Sequence, residues 1–531
     1  MTESTTSFEP ETIYDLFRST VETYPDRTFL KYDDEETTYE GTAAAVDRRA
    51  ALLADRGLGP GDRLGLLFPN DPEFVYLLLA CTKRGVTAVP VNYRQERDVL
   101  AYLLNDAELS ALAVDGDIIK QFAEVADEVD VGTVFGHDVP TAVSSAVNAD
   151  LDDAVGSVTA DSLEPTPVEP DDVAILNYTS GTTGPPKGVQ NPHRAFVDSG
   201  RRLVETLGTG PEDCGLLVLP LFHANPITYG LIHMIAAGGS IAPVRTFSAS
   251  GFWSTARAVD ASFVTHVGSV LEILRRGAEE VDDTETPIEF ALGGAAGFDD
   301  QTAFEDRFDI QLIRLYGLSE VGAGLITVCE YDHATDHHPA HQGSVSDAPF
   351  DVRILDAERA AWADPGERGE IVVRPDRPAT MFAGYLNKPE ETVADWQDLW
   401  MHTGDLGYID EGENLHFVGR MKTSIRTYGE NVSPWEIESP LADWDGVEEV
   451  AAVGVPDEVA GEEIMLYAVP GAGDPDPKIV YDRCGSVLPD HLVPRYVRLV
   501  DSIPKTSTQK IERVALRERG VGEAWDSERD G

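Results

Sequence analysis

A chain of 531 residues, 42% hydrophobic, is too long for one ordinary core and too apolar to be disordered, so two or more folded domains are expected. Its 94 acidic and 41 basic residues leave a net charge of −53, and the lack of a basic stripe argues against direct nucleic-acid binding. The four cysteines (Cys81, Cys214, Cys329, Cys484) lie far apart without metal-ligand spacing, which fits a reduced, cytoplasmic setting.

The start, Met1-Thr2-Glu3-Ser4, is polar and acidic, unlike a secretory leader. Ile13, Leu16, Phe17, Val21 and Tyr24 recur at helical spacing and predict an amphipathic helix. Leu64 to Phe68 reads as a strand. Asp71-Pro72 then supplies an N-cap and a first-turn proline for a helix through Thr82, stopped by Gly85. The apolar run Phe74 to Cys81 falls well short of the roughly 18 residues of a membrane span, and Lys83-Arg84 closes it. Val86 to Val91 is the next strand, so this strand–helix–strand unit implies a parallel sheet. Met1 to Val155 reads as scaffold, and residues 156–172, rich in Pro, Asp, Glu and Ser, as a surface loop.

Val173 to Leu176 reads as a buried strand running into Tyr178-Thr179-Ser180-Gly181-Thr182-Thr183-Gly184-Pro185-Pro186-Lys187-Gly188. Glycines let backbone N–H groups turn inward, four hydroxyls (Thr179, Ser180, Thr182, Thr183) add donors, and Lys187 places a cation at the rim. Such a concave donor array is what a polyphosphate requires. The Walker A pattern does not fit, because Lys187 follows two prolines and precedes Gly188. A surface linker rarely combines this donor density with a preceding buried strand.

Phe196, Gly200, Leu203 and Leu207 predict a helix, followed by Leu219-Pro220-Leu221-Phe222-His223. Two further strands end in glycine loops. Ile288 to Leu292 runs into Gly293-Gly294-Ala295-Ala296, and Ile310 to Leu315 into Tyr316-Gly317-Leu318-Ser319-Glu320. Ligands in α/β sheets bind beyond the carboxyl ends of strands. There Tyr316 offers a face for a purine and Gly294 and Ala295 offer hydrogen bonds to its edge, while Glu320 is a hard oxygen ligand suited to Mg²⁺. Asp405, in Trp400-Met401-His402-Thr403-Gly404-Asp405, suits a pair of ribose hydroxyls, though a turn aspartate has the same look. Tyr408-Ile409 and Leu415 to Val418 flank a hairpin turn at 410–414, and Gly419-Arg420-Met421-Lys422 follows. Only nine of the basic residues are lysine, yet Lys187, Lys422, Lys505 and Lys510 fall in these motif-like stretches, where a slim point charge is useful.

The 178–188 stretch resembles the phosphate-binding loop of the adenylate-forming superfamily, which includes acyl-CoA synthetases, peptide-synthetase adenylation domains and luciferases. Tyr316-Gly317-Leu318-Ser319-Glu320 resembles its Tyr-Gly-x-[Ser/Thr]-Glu motif, and Ile503-Pro504-Lys505-Thr506-Ser507-Thr508-Gln509-Lys510 its last motif. The motifs run in the expected order from 178 to 510. The resemblance implies an α/β fold, with a large N-terminal domain (1–420) of parallel and mixed sheets, a hinge (421–423) and a small mobile α+β domain (424–531).

It also implies an ATP-dependent, AMP-forming acyl-CoA synthetase of fatty or related acids, with ATP, Mg²⁺ and coenzyme A as cofactor and co-substrates. Thr179, Ser180, Gly181, Thr182, Thr183, Gly184 and Lys187 would hold phosphates. Thr179 and Glu320 would serve the metal, and Lys510 the transition-state charge. Gly294, Ala295, Tyr316, Gly317 and Ser319 would hold the nucleotide base, and Asp405 and Arg420 the ribose. Lys422 would mark the hinge, Gly429 the thiol tunnel, and His223, Asn225, Gly293 and Gly317 the acyl pocket. Two positions depart from the pattern: Thr423 stands where an Asp is common. Gln509 stands for the usual Gly, a variant similar to the carnitine-CoA-ligase-like branch.

The chain ends at Gly531 without a carrier segment, which favours free coenzyme A as acceptor. A separate carrier protein, or an adenylate-binding protein without catalysis, is the alternative. The polar run His223-Ala224-Asn225-Pro226 favours a short or polar acid. Partners are small molecules, with neither nucleic acid nor a membrane span, and a homodimer is the open oligomeric alternative.

Self-repulsion at −53 weakens a compact state unless salt screens it, and at about 1 M ionic strength the Debye length is only about 3 Å. The acidity therefore reads as adaptation to a salty cytoplasm. The urea midpoint is expected to rise steeply from dilute buffer to molar KCl; a midpoint indifferent to salt would contradict this.

Overall fold

The computed structural model describes residues 10–95, 97–140, 146–159, 164–179, 185–277, 286–294, 301–330, 341–356, 361–421, 425–427, 430–432, 434–442, 444–457, 461–489, 492–505 and 511–530. Packing divides the chain into two compact units, Met1–Asp351 with Arg374–Met401, and Val352–Val373 with His402–Gly531. Among the described residues the strands sort into four sheets.

In the first unit, a seven-stranded sheet grows around the predicted strand–helix–strand unit. Arg63–Leu67 and Thr87–Pro90 pair in parallel, joined by the helix Pro72–Arg84. Asp71 caps that helix by accepting from the Glu73 N–H at 2.9 Å, Pro72 opens it and Gly85 ends it. Thr133–His137, Ala111–Asp115 and Val173–Thr179 extend the sheet in parallel, and Lys187–Pro192 closes one edge antiparallel. An eight-stranded sheet has Phe263–Val267, Phe290–Gly294 and Gln311–Tyr316 side by side in parallel.

The helices Ile13–Thr23, Tyr39–Asp55, Pro72–Arg84 and His193–Leu207 share one core with both sheets: Phe17, Val46, Leu78 and Phe196 pack in one cluster with Leu64, Ile175, Phe263 and Leu292. The far face of the eight-stranded sheet buries Trp253, Phe304 and Phe308, and that of the seven-stranded sheet Leu104, Phe122 and Val134. Within the shared core Arg49 donates to Glu73 at 2.9 Å, a charge pair that tolerates burial because each partner satisfies the other.

The second unit is built on a six-stranded sheet whose long hairpin, Val447–Asp457 with Gly461–Pro470, packs the helices Pro434–Ala442 and Pro477–Val487 on one face. The fourth sheet contains Phe350–Asp356, Gly369–Pro375, Trp400–Ile409 and Leu415–Arg420, and the division between units runs along the first three of these strands. The expected loop at 156–172 begins slightly later, because Asp150 caps a short helix, Leu151–Ser157, by accepting from the Asp153 N–H.

His193 and His233 are buried in the shared core's helices, and desolvation holds each down to about 4. His193 Nδ1 accepts from the Ile13 N–H at 3.3 Å, a role that requires the neutral ring. Unfolded chains protonate their histidines near 6.5, so stability from these groups is complete above that pH and falls as pH drops toward about 4. Between those limits each should lower stability by at most about 1.4 kcal/mol per pH unit. Urea midpoints measured in molar KCl should fall between neutral pH and about pH 5, and His233→Gln should flatten the curve. An unchanged slope in that variant would remove His233 from the account.

Candidate active site

The Val173–Thr179 strand returns antiparallel as Lys187–Pro192, with Thr179 opposite Lys187. Ser180, Gly181, Thr182, Thr183 and Gly184 lie outside the described residues. Both stems of the hairpin are anchored. The Tyr178 hydroxyl donates to Asp106 at 2.8 Å, and the Tyr102 hydroxyl to the Pro186 carbonyl at 3.1 Å. Burial, then the neighbouring Asp106 carboxylate, holds the Tyr178 phenol well above its ordinary value, so it remains a donor. The Lys187 ammonium lies 2.8 Å from Glu391 and 4.4 Å from the centre of the Tyr385 ring.

Tyr385 ties this hairpin to the second loop. Its hydroxyl stands 2.9 Å from Glu320 Oε1 and 2.8 Å from Asp395 Oδ2. Backbone bonds reinforce the link on both sides. Phe382 N–H donates to the Glu320 carbonyl and Gly322 N–H to Thr380, while Ala383 N–H donates to Gln190 and Leu386 N–H to Gly188. The 380–386 segment thus straps the Glu320 turn to the Lys187 strand. Burial first, then the carboxylates of Glu320 and Asp395, keep the phenol protonated far above the ordinary range.

Two carboxylates thus meet around one hydroxyl, and carboxylate oxygens are hard ligands of the kind a divalent cation takes, which fits Mg²⁺ at Glu320. Ser319 and Glu320 form the tight turn between Leu318 and Val321, whose N–H donates back to Leu318 at 3.0 Å.

The glycine loops occupy the carboxyl ends of adjacent parallel strands, as read from the sequence. Gly317 follows Tyr316, and a Cβ there would overlap the Gly324 carbonyl oxygen. That carbonyl accepts from the Tyr229 hydroxyl. One strand over, a Cβ on Gly293 would overlap the His266 carbonyl oxygen, which also accepts from Asn225 Nδ2 at 3.2 Å. Bare backbone is therefore required at both positions by the carbonyls packed against them. Gly294 pairs in register with Val267, and Ala295 lies outside the described residues. Tyr316 is buried at its strand end, with its carbonyl accepting from Ile326. His223 is exposed beside Phe222, and Asn225 is partly buried just before the π-helical stretch Pro226–Ile232.

In the second unit, Asp405 and Arg420 are cross-strand partners, 2.8 Å apart. The carboxylate is almost wholly buried, whereas the guanidinium side chain is half exposed. The loop before Asp405 is held by Glu370, which lies 2.7 Å from His402 and accepts from the Gly404 N–H at 3.0 Å. The Asp405 N–H donates to Thr403 Oγ1. Lys422, Thr423, Gly429, Gln509 and Lys510 lie outside the described residues. Lys505 pairs with Glu449 at 2.9 Å.

Two residues escaped the sequence reading. Tyr385 carries only the faint signal of an aromatic beside a glycine, in Phe382-Ala383-Gly384-Tyr385, and His266 is a lone histidine at the end of an apolar strand.

The sequence profile of the AMP-binding enzyme family matches residues 17–386. The chain belongs to that family. The profile of the AMP-binding enzyme C-terminal domain matches residues 436–510.

Among curated relatives of this AMP-binding enzyme, a probable CoA ligase of Humulus lupulus is 30% identical, covering 96% of both chains. An oxalate–CoA ligase of Arabidopsis thaliana is 28% identical over 95% of this chain and 98% of its own. A long-chain-fatty-acid–CoA ligase of Mycobacterium tuberculosis is 30% identical over 92% and 93%. The solved structure of o-succinylbenzoate coenzyme A synthetase from Bacillus subtilis, in complex with ATP and magnesium, superimposes with a TM-score of 0.79 at 25% identity, over 94% and 98%. This AMP-binding enzyme has the expected α/β fold of the acyl-CoA synthetases, a large N-terminal and a smaller C-terminal domain. It is an AMP-forming acid–thiol ligase that uses ATP with Mg²⁺ and coenzyme A.

Tyr385→Phe should keep the ring under Lys187 while removing the proton shared by Glu320 and Asp395. Carboxylate-dependent pyrophosphate release should fall about tenfold, as expected for a lost charge-assisted hydrogen bond of roughly 1.5 kcal/mol. Unaltered kinetics would make the strap purely structural.

Proposed function

We propose that Thr179, Ser180, Gly181, Thr182, Thr183, Gly184 and Lys187 hold the triphosphate, and that Glu320 with Thr179 holds Mg²⁺. Gly294, Ala295, Tyr316, Gly317 and Ser319 take the base, Asp405 and Arg420 the ribose, and His223, Asn225, Gly293 and Gly317 line the acyl pocket. The observation that carries this reading is the Tyr385 link, which holds the Lys187 hairpin and the Glu320 turn as one piece.

In the first half-reaction a carboxylate oxygen attacks the α-phosphorus and the bond to the β-phosphate bridge breaks, giving acyl-adenylate and pyrophosphate. Negative charge builds on the phosphoryl oxygens, so the Lys187 and Lys510 ammonium groups and the loop donors stabilise it electrostatically. Bound Mg²⁺ would neutralise part of the phosphate charge. In the second half-reaction the thiol of coenzyme A attacks the acyl carbon, its proton leaves to solvent, and AMP departs. Between the halves the small domain (424–531) pivots on a hinge at 421–423 next to the large domain (1–420), withdrawing Lys510 and bringing Gly429 to the thiol. Free coenzyme A, rather than a carrier protein, is the acceptor.

The printed names of the relatives run from oxalate to long-chain fatty acids, so they do not choose the acid. The polar Asn225 favours a short or polar one. The surroundings we propose are a salt-rich cytoplasm, in keeping with the net charge of −53.

Pyrophosphate release that needs a carboxylate but not coenzyme A is the expected result. Lys510→Ala should cripple that release and largely spare thioester formation from supplied acyl-adenylate. Equal loss of both would refute the two-state assignment of the small domain.

A further inference from the structure

His266 is the penultimate residue of the Phe263–Val267 strand, in register with Gly293, and its carbonyl accepts from Asn225 Nδ2. It thereby joins two residues assigned to the acyl pocket. The imidazole is 1% exposed, and neither ring nitrogen reaches a partner in full hydrogen-bond geometry among the described residues, the backbone of Val267 and Ala291 lying near it. The bond from Asn225 Nδ2 fixes the amide's orientation and leaves its buried Oδ1 unpartnered as well. Gly293 presents no side chain beside them, its Cβ position being closed by the His266 carbonyl oxygen. Three buried polar atoms thus gather beside the bare backbone of Gly293. Leaving such atoms unsatisfied is costly, and a ligand carrying matching groups would return that cost.

We propose that His266 and Asn225 form a polar end to the acyl pocket and select carboxylic acids whose chain carries a neutral hydrogen-bonding group, a hydroxyl or an amide, over plain alkyl chains. The inference rests on the assignment of Asn225 and Gly293 to that pocket. Burial holds the His266 ring down to about 4, only partly opposed by the nearby backbone of Val267 and Ala291, so at neutral pH it offers one donor and one acceptor without charge. Asn225 Oδ1 adds a second acceptor. A hydroxyl donates to one acceptor and accepts from the imidazole N–H, whereas a second carboxylate would meet lone pairs and no charge from this pair.

The test compares acids matched in shape, 4-hydroxybutyrate with pentanoate and 3-hydroxybutyrate with 3-methylbutyrate, by pyrophosphate release in molar KCl. Wild type should favour the hydroxy member by at least about tenfold in kcat/KM, since a site built to bond a hydroxyl rejects the analogue lacking it. His266→Leu should bring that ratio to one or below, and His266→Gln should keep most of it. Preference of wild type for the methyl members overturns the proposal. So does a wild-type ratio retained by the Leu variant, or lost equally in the Gln variant. Release of pyrophosphate with none of these acids, but with a long alkyl acid, overturns it while leaving the adenylation reading intact. Release with no carboxylate at all would instead sink that reading, and this inference with it.

Discussion

A single phenolic proton, on Tyr385, stands between Glu320 and Asp395 while the ring beneath it faces Lys187. Glu320 and Lys187 come from different sheets, one from the turn after Gln311–Tyr316 and the other from the edge of the seven-stranded sheet. Without the strap these loops would be separate pieces of surface. With it, an anionic oxygen and a cation are held in a fixed relation, which a phosphate chain with its metal requires.

The same economy of charge runs through the molecule. Positive groups are scarce, and those in the described core are committed: Arg49 to Glu73, Lys83 to Asp47, Arg245 to Asp71 and Asp115. The buried histidines His193, His233 and His266 remain neutral by burial. The surface then carries most of the negative excess, where mobile ions can screen it.

Local chemistry made much of the fold legible from the sequence. The helix over 72–84 announced itself through Asp71, Pro72 and Gly85, and the strands into Tyr316 and Gly293 through apolar runs ending in glycine. Those signals act within a few residues. Tyr385 and Glu320 are 65 positions apart, and Asn225 and His266 are 41 apart, and neither pairing leaves a periodicity or a spacing to read. The strand order was hidden for the same reason, as was the pairing of Asp405 with Arg420, since register across a hairpin depends on its bulge between Leu406 and Gly407. The need for glycine at 317 was hidden likewise, because the Gly324 carbonyl that a Cβ would strike comes from a later turn.

The first unit is discontinuous, taking Met1–Asp351 and then Arg374–Met401. Its final strip contains the Tyr385 strap. On the ribosome both sheets of that unit can begin to form well before this strip has been made. The turn at Glu320 would then wait for its bonds to Phe382 and Tyr385 until synthesis has passed residue 401 and the strap has emerged. The joining of Glu320 to the Lys187 strand is in that sense a late act of folding the first unit, later than chain order alone would place residues 187 and 320.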